Sequence, residues 1–235
     1  MTIAVINLAR SRDRRELIEA NFARLGLGFE FFAGVDAWRG EHVPFFHHAA
    51  RSDGHRPLTP GEIGCFASHY LLWQRCMESR ESLVIMEDDV LIDDGFTRAL
   101  ETATELLPKF PLIRLGIRGE GAGTAPILPL ASGFELVALA SGTIGSQCYI
   151  LSAIAAKTLF ERAGFWSVGL DTFLDHPWLH GIPSYGLRPY FVRPADEGAY
   201  PSVIGYERFE PLPDRESKAK SLVERFLAER GRKLK

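Results

Sequence analysis

Leu83-Val84-Ile85-Met86-Glu87-Asp88-Asp89-Val90-Leu91-Ile92-Asp93-Asp94 sets a short apolar run directly against a block of acids. Leu83 to Met86 read as a strand buried on both faces, since nothing in the run alternates. Glu87, Asp88 and Asp89 then fall at the carboxyl end of that strand. Open α/β sheets place their ligands there. Three packed anions repel one another unless they share a cation. Hard oxygen donors select Mg²⁺ or Mn²⁺, ions that commonly hold substrate phosphates. The alternative reading is a solvated acidic turn.

Outward from this strand, the first segment has the same character. Thr2 to Leu8 is apolar and β-branched and reads as a buried strand. Arg10-Ser11-Arg12-Asp13-Arg14-Arg15 then opens a helix, with Asp13 as the expected N-cap, Leu17, Ile18, Phe22 and Leu25 at helical spacing, and Gly26 as the stop. Phe29 to Ala33 reads as a second strand. Strand, helix and strand in this order predict a parallel sheet with crossover helices. Arg10 and Arg12 fall in the loop after the first strand, where a phosphate would be met. Arg14 and Arg15 read as exposed helix charges.

Asp36 to Pro57 is irregular and carries His42, His47, His48 and His55 without a metal-ligand spacing. Thr59-Pro60-Gly61-Glu62 is a capping box with proline at the first helical position. The helix it opens, to about Glu78, is apolar nearly all round and is expected to be buried, with His69 a hydrogen-bonded core residue. An amphipathic helix is expected from Gly95 to Leu107 and a strand from Leu112 to Leu115. Gly116 to Gly133 lacks a period and reads as a loop. Strands are expected over Phe134 to Ala138 and Gln147 to Leu151, flanking Ser141-Gly142-Thr143-Ile144-Gly145. Ser152 caps a helix to about Ala163. Asp171 and Asp175 stand four apart on one face of a later helix and are candidate general bases. Tyr185 to Val192 reads as the last strand.

The 235 residues, 46% hydrophobic and 24% charged, fit one globular domain, drawn at residues 1–213, followed by a basic C-terminal helix at 214–235. No apolar run reaches the length of a membrane span, and the N-terminus has no secretory-leader pattern. Cys65, Cys76 and Cys148 form neither a disulfide framework nor a zinc spacing in sequence, so a reducing cytoplasm is the expected compartment. A net charge of −3 argues against a general nucleic-acid binder. The basic tail suggests peripheral contact with an anionic membrane.

The chain resembles glycosyltransferase family 25, which includes bacterial lipooligosaccharide galactosyltransferases and relatives of the procollagen galactosyltransferases. Four pieces carry the resemblance. They are Ile6-Asn7-Leu8-Ala9-Arg10-Ser11 with Arg14-Arg15, Leu58 to Cys65 leading to Ser68-His69 and Trp73, Met86-Glu87-Asp88-Asp89-Val90, and Gly142-Thr143 before Tyr149-Ile150 with Asp171 beyond. The resemblance implies a GT-A-type α/β fold, a mostly parallel sheet flanked by helices. It also implies inverting transfer of a hexose, galactose or glucose, from a UDP-sugar to a surface glycan or lipid-linked acceptor; the alternatives are a non-catalytic nucleotide-sugar or glycan-binding protein of the same fold and a metal-dependent phosphohydrolase. In that frame Glu87 and Asp89 hold Mn²⁺ or Mg²⁺, and Asp171, with Asp175 next in line, is the catalytic base. Asn7, Leu8, Arg10 and Arg12 are assigned to the nucleotide, together with Asp36, Asp88, Gly142 and Thr143.

Overall fold

The computed structural model describes residues 1–49, 57–116, 124–131, 133–139, 145–195, 198, 200 and 204. Gly142, Thr143, His55 and the basic segment 214–235 lie outside the described residues.

The opening unit is β1 (Thr2–Asn7), α1 (Arg12–Leu25) and β2 (Glu30–Ala33), with β1 and β2 parallel and Ala4 opposite Glu30. Ser11, not Asp13, occupies the N-cap of α1, so the helix starts two residues early. Gly26 ends it with φ 63, a left-handed conformation that glycine adopts without a Cβ clash. The segment read as irregular holds two 3₁₀ turns, Ala37–Arg39 and Val43–Phe45, and the short helix α2 (Phe46–Ala49).

Helix α3 (Pro60–Ser79) carries the expected capping box: Glu62 N–H donates to Thr59 Oγ1 at 3.2 Å, and Thr59 N–H donates to Glu62 Oε2 at 2.8 Å. Such a cap contributes about 1 kcal/mol. Gly64 lets this helix lie against the chain after β2, because a Cβ there would stand 2.6 Å from the Val35 carbonyl oxygen. Strand β3 (Leu83–Glu87) follows and pairs in parallel with β1, setting Ile6 opposite Glu87. Its side chains divide by pleat. Val84 and Met86 enter one core with Ile18 and Phe22 of α1, and Leu83 and Ile85 enter the other with Phe66 and Trp73 of α3. A strand buried on both faces needs apolar residues at every position.

The remaining elements are β4 (Val90–Ile92), α4 (Phe96–Leu106), β5 (Leu112–Arg114), β6 (Thr124–Pro129), β7 (Glu135–Leu139), β8 (Cys148–Leu151), α5 (Ala153–Arg162), α6 (Leu170–Asp175), α7 (Pro177–His180), β9 (Tyr185–Arg188) and β10 (Val192–Pro194). Among the described residues they build an eight-stranded sheet of order β2-β1-β3-β8-β5-β9-β7-β6 and a two-stranded sheet of β10 and β4. Strands β8 and β7 run against the other six. The α/β fold with its large sheet, mostly of one direction and flanked by helices, is the one expected.

Three local expectations change. Within the stretch read as a loop, Thr124–Pro129 forms β6 at the edge of the sheet. Pro126 and Pro129 hide this strand in the sequence, yet an edge tolerates residues that cannot donate to a ladder. The single strand expected over Tyr185 to Val192 is divided into β9 and β10, with Pro189 between them and unable to continue the ladder. Finally, β4 follows the acidic triplet directly and pairs antiparallel with β10, Val90 opposite Pro194. Ala195 N–H donates to the Asp89 carbonyl at 2.8 Å, so the chain after β9 returns to brace the acidic strand end.

Candidate active site

The ends of β1 and β3 lie side by side, and the three carboxylates there have different surroundings. Asp88 is held by the protein. Asn7 Nδ2 donates to its Oδ2 at 2.7 Å and Arg14 Nη1 to its Oδ1 at 2.8 Å. Asn7 also donates to the Ser11 carbonyl at 3.1 Å, tying the loop after β1 to the same point. Burial pushes the Asp88 carboxyl up, against Arg14 and Asn7, while Asp89 and Asp88 raise the Arg14 guanidinium against its own burial. With a charge-assisted bond on one oxygen and an amide on the other, we take the pair as ionised. Asp88, expected at the nucleotide, does line the cleft, and both its oxygens also hold the strand end in place.

Arg14 corrects a second expectation. It is 4% exposed rather than a solvated helix charge, and it also lies 3.3 Å from Asp89 Oδ2. Its place was written in the helix period: Arg14, Ile18, Asn21 and Phe22 form the buried stripe of α1.

Glu87 and Asp89 line the cleft with Asp88, as do Leu8, Arg10 and Arg14. Arg10 is partly exposed, and its Nε donates to Asp36 Oδ2 at 2.9 Å. Asp36 is buried and accepts Trp38 N–H at 3.0 Å, so it fixes Arg10 at the cleft rim. Arg12 is exposed and is not part of the cleft lining.

On its other side Glu87 meets Ser146, whose Oγ contacts Glu87 Oε1 and lies 2.6 Å from Asp171 Oδ1. One hydroxyl proton serves two carboxylates, so neutrality requires a further proton or a cation. Burial, then the charges of Asp89 and Asp171, push the Glu87 carboxyl up to about 8. Its side chain keeps 22% exposure, so water screens part of that charge. Asp171 therefore stands beside the acidic strand end. Asp175 sits in a different environment. It is 6% exposed, with Oδ1 3.6 Å from Nη2 of the fully buried Arg114, whose Nη1 donates to the Gly145 carbonyl at 2.8 Å. This makes Asp175 a buried counter-ion, a poor position for a base that must reach an acceptor hydroxyl.

Behind Glu87 lies His69, buried and hydrogen-bonded as expected. Its Nδ1 and the Tyr149 hydroxyl are 2.8 Å apart, and Trp73 Nε1–H donates to the same hydroxyl at 2.9 Å. Burial, helped by Arg114, lowers His69 to about 3, so the ring is neutral. Ser68 is structural: it donates to the Gly64 carbonyl at 2.7 Å and accepts Val35 N–H at 2.9 Å. Tyr149 stood out in the sequence only as part of the family resemblance, and Ser146 and Arg114 carried no signal of their own, because β8 pairs antiparallel with both β3 and β5 and brings these segments together.

Fold and site together describe an α/β protein whose chemistry is placed at the carboxyl ends of its central strands. The chain belongs to glycosyltransferase family 25: the family model described as "Glycosyltransferase family 25 (LPS biosynthesis protein)" matches residues 1–120. It is similar to the lipooligosaccharide biosynthesis protein lic2B of Haemophilus influenzae, at 32% identity over 163 residues, 66% of this chain and 60% of that protein. It is also similar to procollagen galactosyltransferase 2 of Mus musculus, at 32% identity over 121 residues, covering 47% and 19% of the two chains. The inactive glycosyltransferase 25 family member 3 of Homo sapiens is 32% identical over 111 residues, covering 44% and 19%. The chain thus spans less than two thirds of the length of each of these relatives.

Proposed function

We propose that this glycosyltransferase moves a hexose, galactose or glucose, from a UDP-sugar to a glycan acceptor with inversion at the anomeric carbon. The observation that carries the reading is the division of labour in the acidic triplet. All three carboxylates line one cleft, where Asp88 is bonded to Asn7 and Arg14 and serves as the scaffold beside Glu87 and Asp89. Their donor set is all oxygen and anionic, which fits Mn²⁺ or Mg²⁺. The cation, when bound, supplies charge neutralisation for the departing UDP. Arg10, held by Asp36, is placed to meet a phosphate or the nucleotide at the rim.

Asp171 is the proposed base. Its partly exposed carboxylate accepts the acceptor's hydroxyl proton, and Ser146 orients it. Leu8 shapes the apolar side of the nucleotide pocket, and Asn7 acts through Asp88. The proposed acceptor is lipooligosaccharide or another surface glycan, reached from the cytoplasmic face of a membrane. Among the described residues no helix is long and apolar enough to cross one. One human relative is named as inactive, so family membership alone does not carry activity and turnover has to be measured.

The test is donor turnover with UDP-galactose and UDP-glucose, with and without Mn²⁺. Cation-dependent release of UDP from one of them is expected. No release from either donor, with the cation and a sugar acceptor present, would overturn the reading.

A further inference from the structure

Beside Glu87 stands a buried polar atom that the groups described so far do not account for. His69 is 1% exposed, and its Nε2 has no hydrogen-bond partner among the described residues. Glu87 Oε1 stands 3.8 Å away, too far for a hydrogen bond and close enough for a shared third atom. Cys65 lies one turn earlier on α3, on the same face as His69. One donor atom from each of Cys65, His69 and Glu87 lies within 4.8 Å of the other two. We propose that Cys65, His69 and Glu87 form a site for a thiophilic divalent cation of the Zn²⁺ class, separate from the oxygen-lined site and sharing Glu87 with it.

The donor chemistry sets the metal. A thiolate, an imidazole and a carboxylate suit Zn²⁺ and disfavour Mg²⁺ and Mn²⁺, which prefer oxygen throughout. Bond lengths of about 2.0–2.3 Å in a tetrahedron hold ligand atoms roughly 3.3–3.6 Å apart. The cluster therefore has to contract by up to about 1.5 Å, within reach of side-chain rotation. Ligation displaces the thiol proton of Cys65 to solvent and leaves His69 neutral, as it already is.

The surroundings are prepared as well. A ligating imidazole needs its second nitrogen held. Tyr149 does this, for its oxygen can accept both His69 Nδ1–H and Trp73 Nε1–H while the ring presents its Nε2 lone pair to the cluster. All three ligands line the cleft, so the fourth position faces it and is exchangeable. A cation held here draws Glu87 away from Asp89. Occupancy thus opposes binding of the oxygen-preferring cation, and Zn²⁺ acts as an inhibitor.

The site stands whether or not the proposed reaction does, since its test reads binding alone. Co²⁺ is titrated into the full chain, reduced and freed of metal. A thiolate-to-cobalt charge-transfer band is expected, saturating at a single Co²⁺ per chain and bleached by Zn²⁺ but not by Mg²⁺. Cys65→Ser should abolish the band, and Asp89→Asn should keep it. Tyr149→Phe should weaken binding by about 10- to 100-fold. As a measurement that needs no variant, Zn²⁺ should slow maleimide labelling of Cys65, mapped by mass spectrometry. No band in the unmodified chain, a band that survives Cys65→Ser, its loss in Asp89→Asn, or labelling indifferent to Zn²⁺ would each overturn the site.

Discussion

Arg14 and Asp88 meet at 2.8 Å across 74 positions of sequence. The contact joins the first turn of α1 to the end of β3, so the crossover unit and the acidic strand end are built as one piece. Arg14→Met leaves Asp88 buried without its cation. A loss of about 3–5 kcal/mol is expected in urea unfolding, with part recovered when Asp88→Leu is added. A loss below about 1 kcal/mol would show that the pair behaves as a surface ion pair.

Asp89 is the cleft carboxylate with least structural duty. Asp89→Ala is expected to remove Mn²⁺-dependent UDP binding while leaving the thermal transition within a few degrees of the parent. Calorimetry with and without Mn²⁺ decides it. Metal-dependent binding that persists unchanged in the variant would take the cation elsewhere.

For Asp171 the informative quantity is which constant moves. Asp171→Asn should lower turnover by about 10²- to 10⁴-fold with donor and Mn²⁺ affinities unchanged, because a base acts in the transition state. If Mn²⁺ affinity falls in step with turnover, the carboxylate that shares Ser146 with Glu87 serves the cation instead.

Glu87 gives the metal-free protein a pH dependence of known sign. Its folded-state carboxyl lies near 8, above the unfolded value. Between the usual carboxylate range and about 8 the folded state keeps a proton that the unfolded chain has lost. Stability from this group is full below that window and is lost as pH rises through it. In chelator, the melting temperature should fall more steeply from about pH 5 to about pH 9 in the parent than in Glu87→Gln, at roughly 2–4 °C per kcal/mol. Parallel curves would remove the assignment.

Much of this arrangement was legible because it is local. The run Leu83 to Met86 has no polar member, so it had to be a strand buried on both faces, and Thr59 to Glu62 spells its cap in adjacent residues. Arg14 was legible too, once counted with Ile18, Asn21 and Phe22 rather than judged by its charge. What could not be read are the meetings made by long-range pairing. Ser146 reaches Glu87 because β8 runs antiparallel to β3, and the pairing of β4 with β10 depends on a turn at Pro189. Cys65 and His69 stand four apart on one helix, a spacing that does not by itself mark a site. Their third partner belongs to another element and leaves no spacing to count.

Strand β3 has β1 on one side and β8 on the other. The span matched by the family model stops at residue 120, before β8 begins. A chain cut there would keep the whole acidic triplet and yet strip Leu83 to Met86 of their partners Leu151 to Cys148. That exposed apolar edge is a template for association with other chains. The part of the sequence easiest to recognise is therefore shorter than the part that builds the sheet, and a fragment chosen by recognition alone is expected to aggregate with its acidic triplet intact.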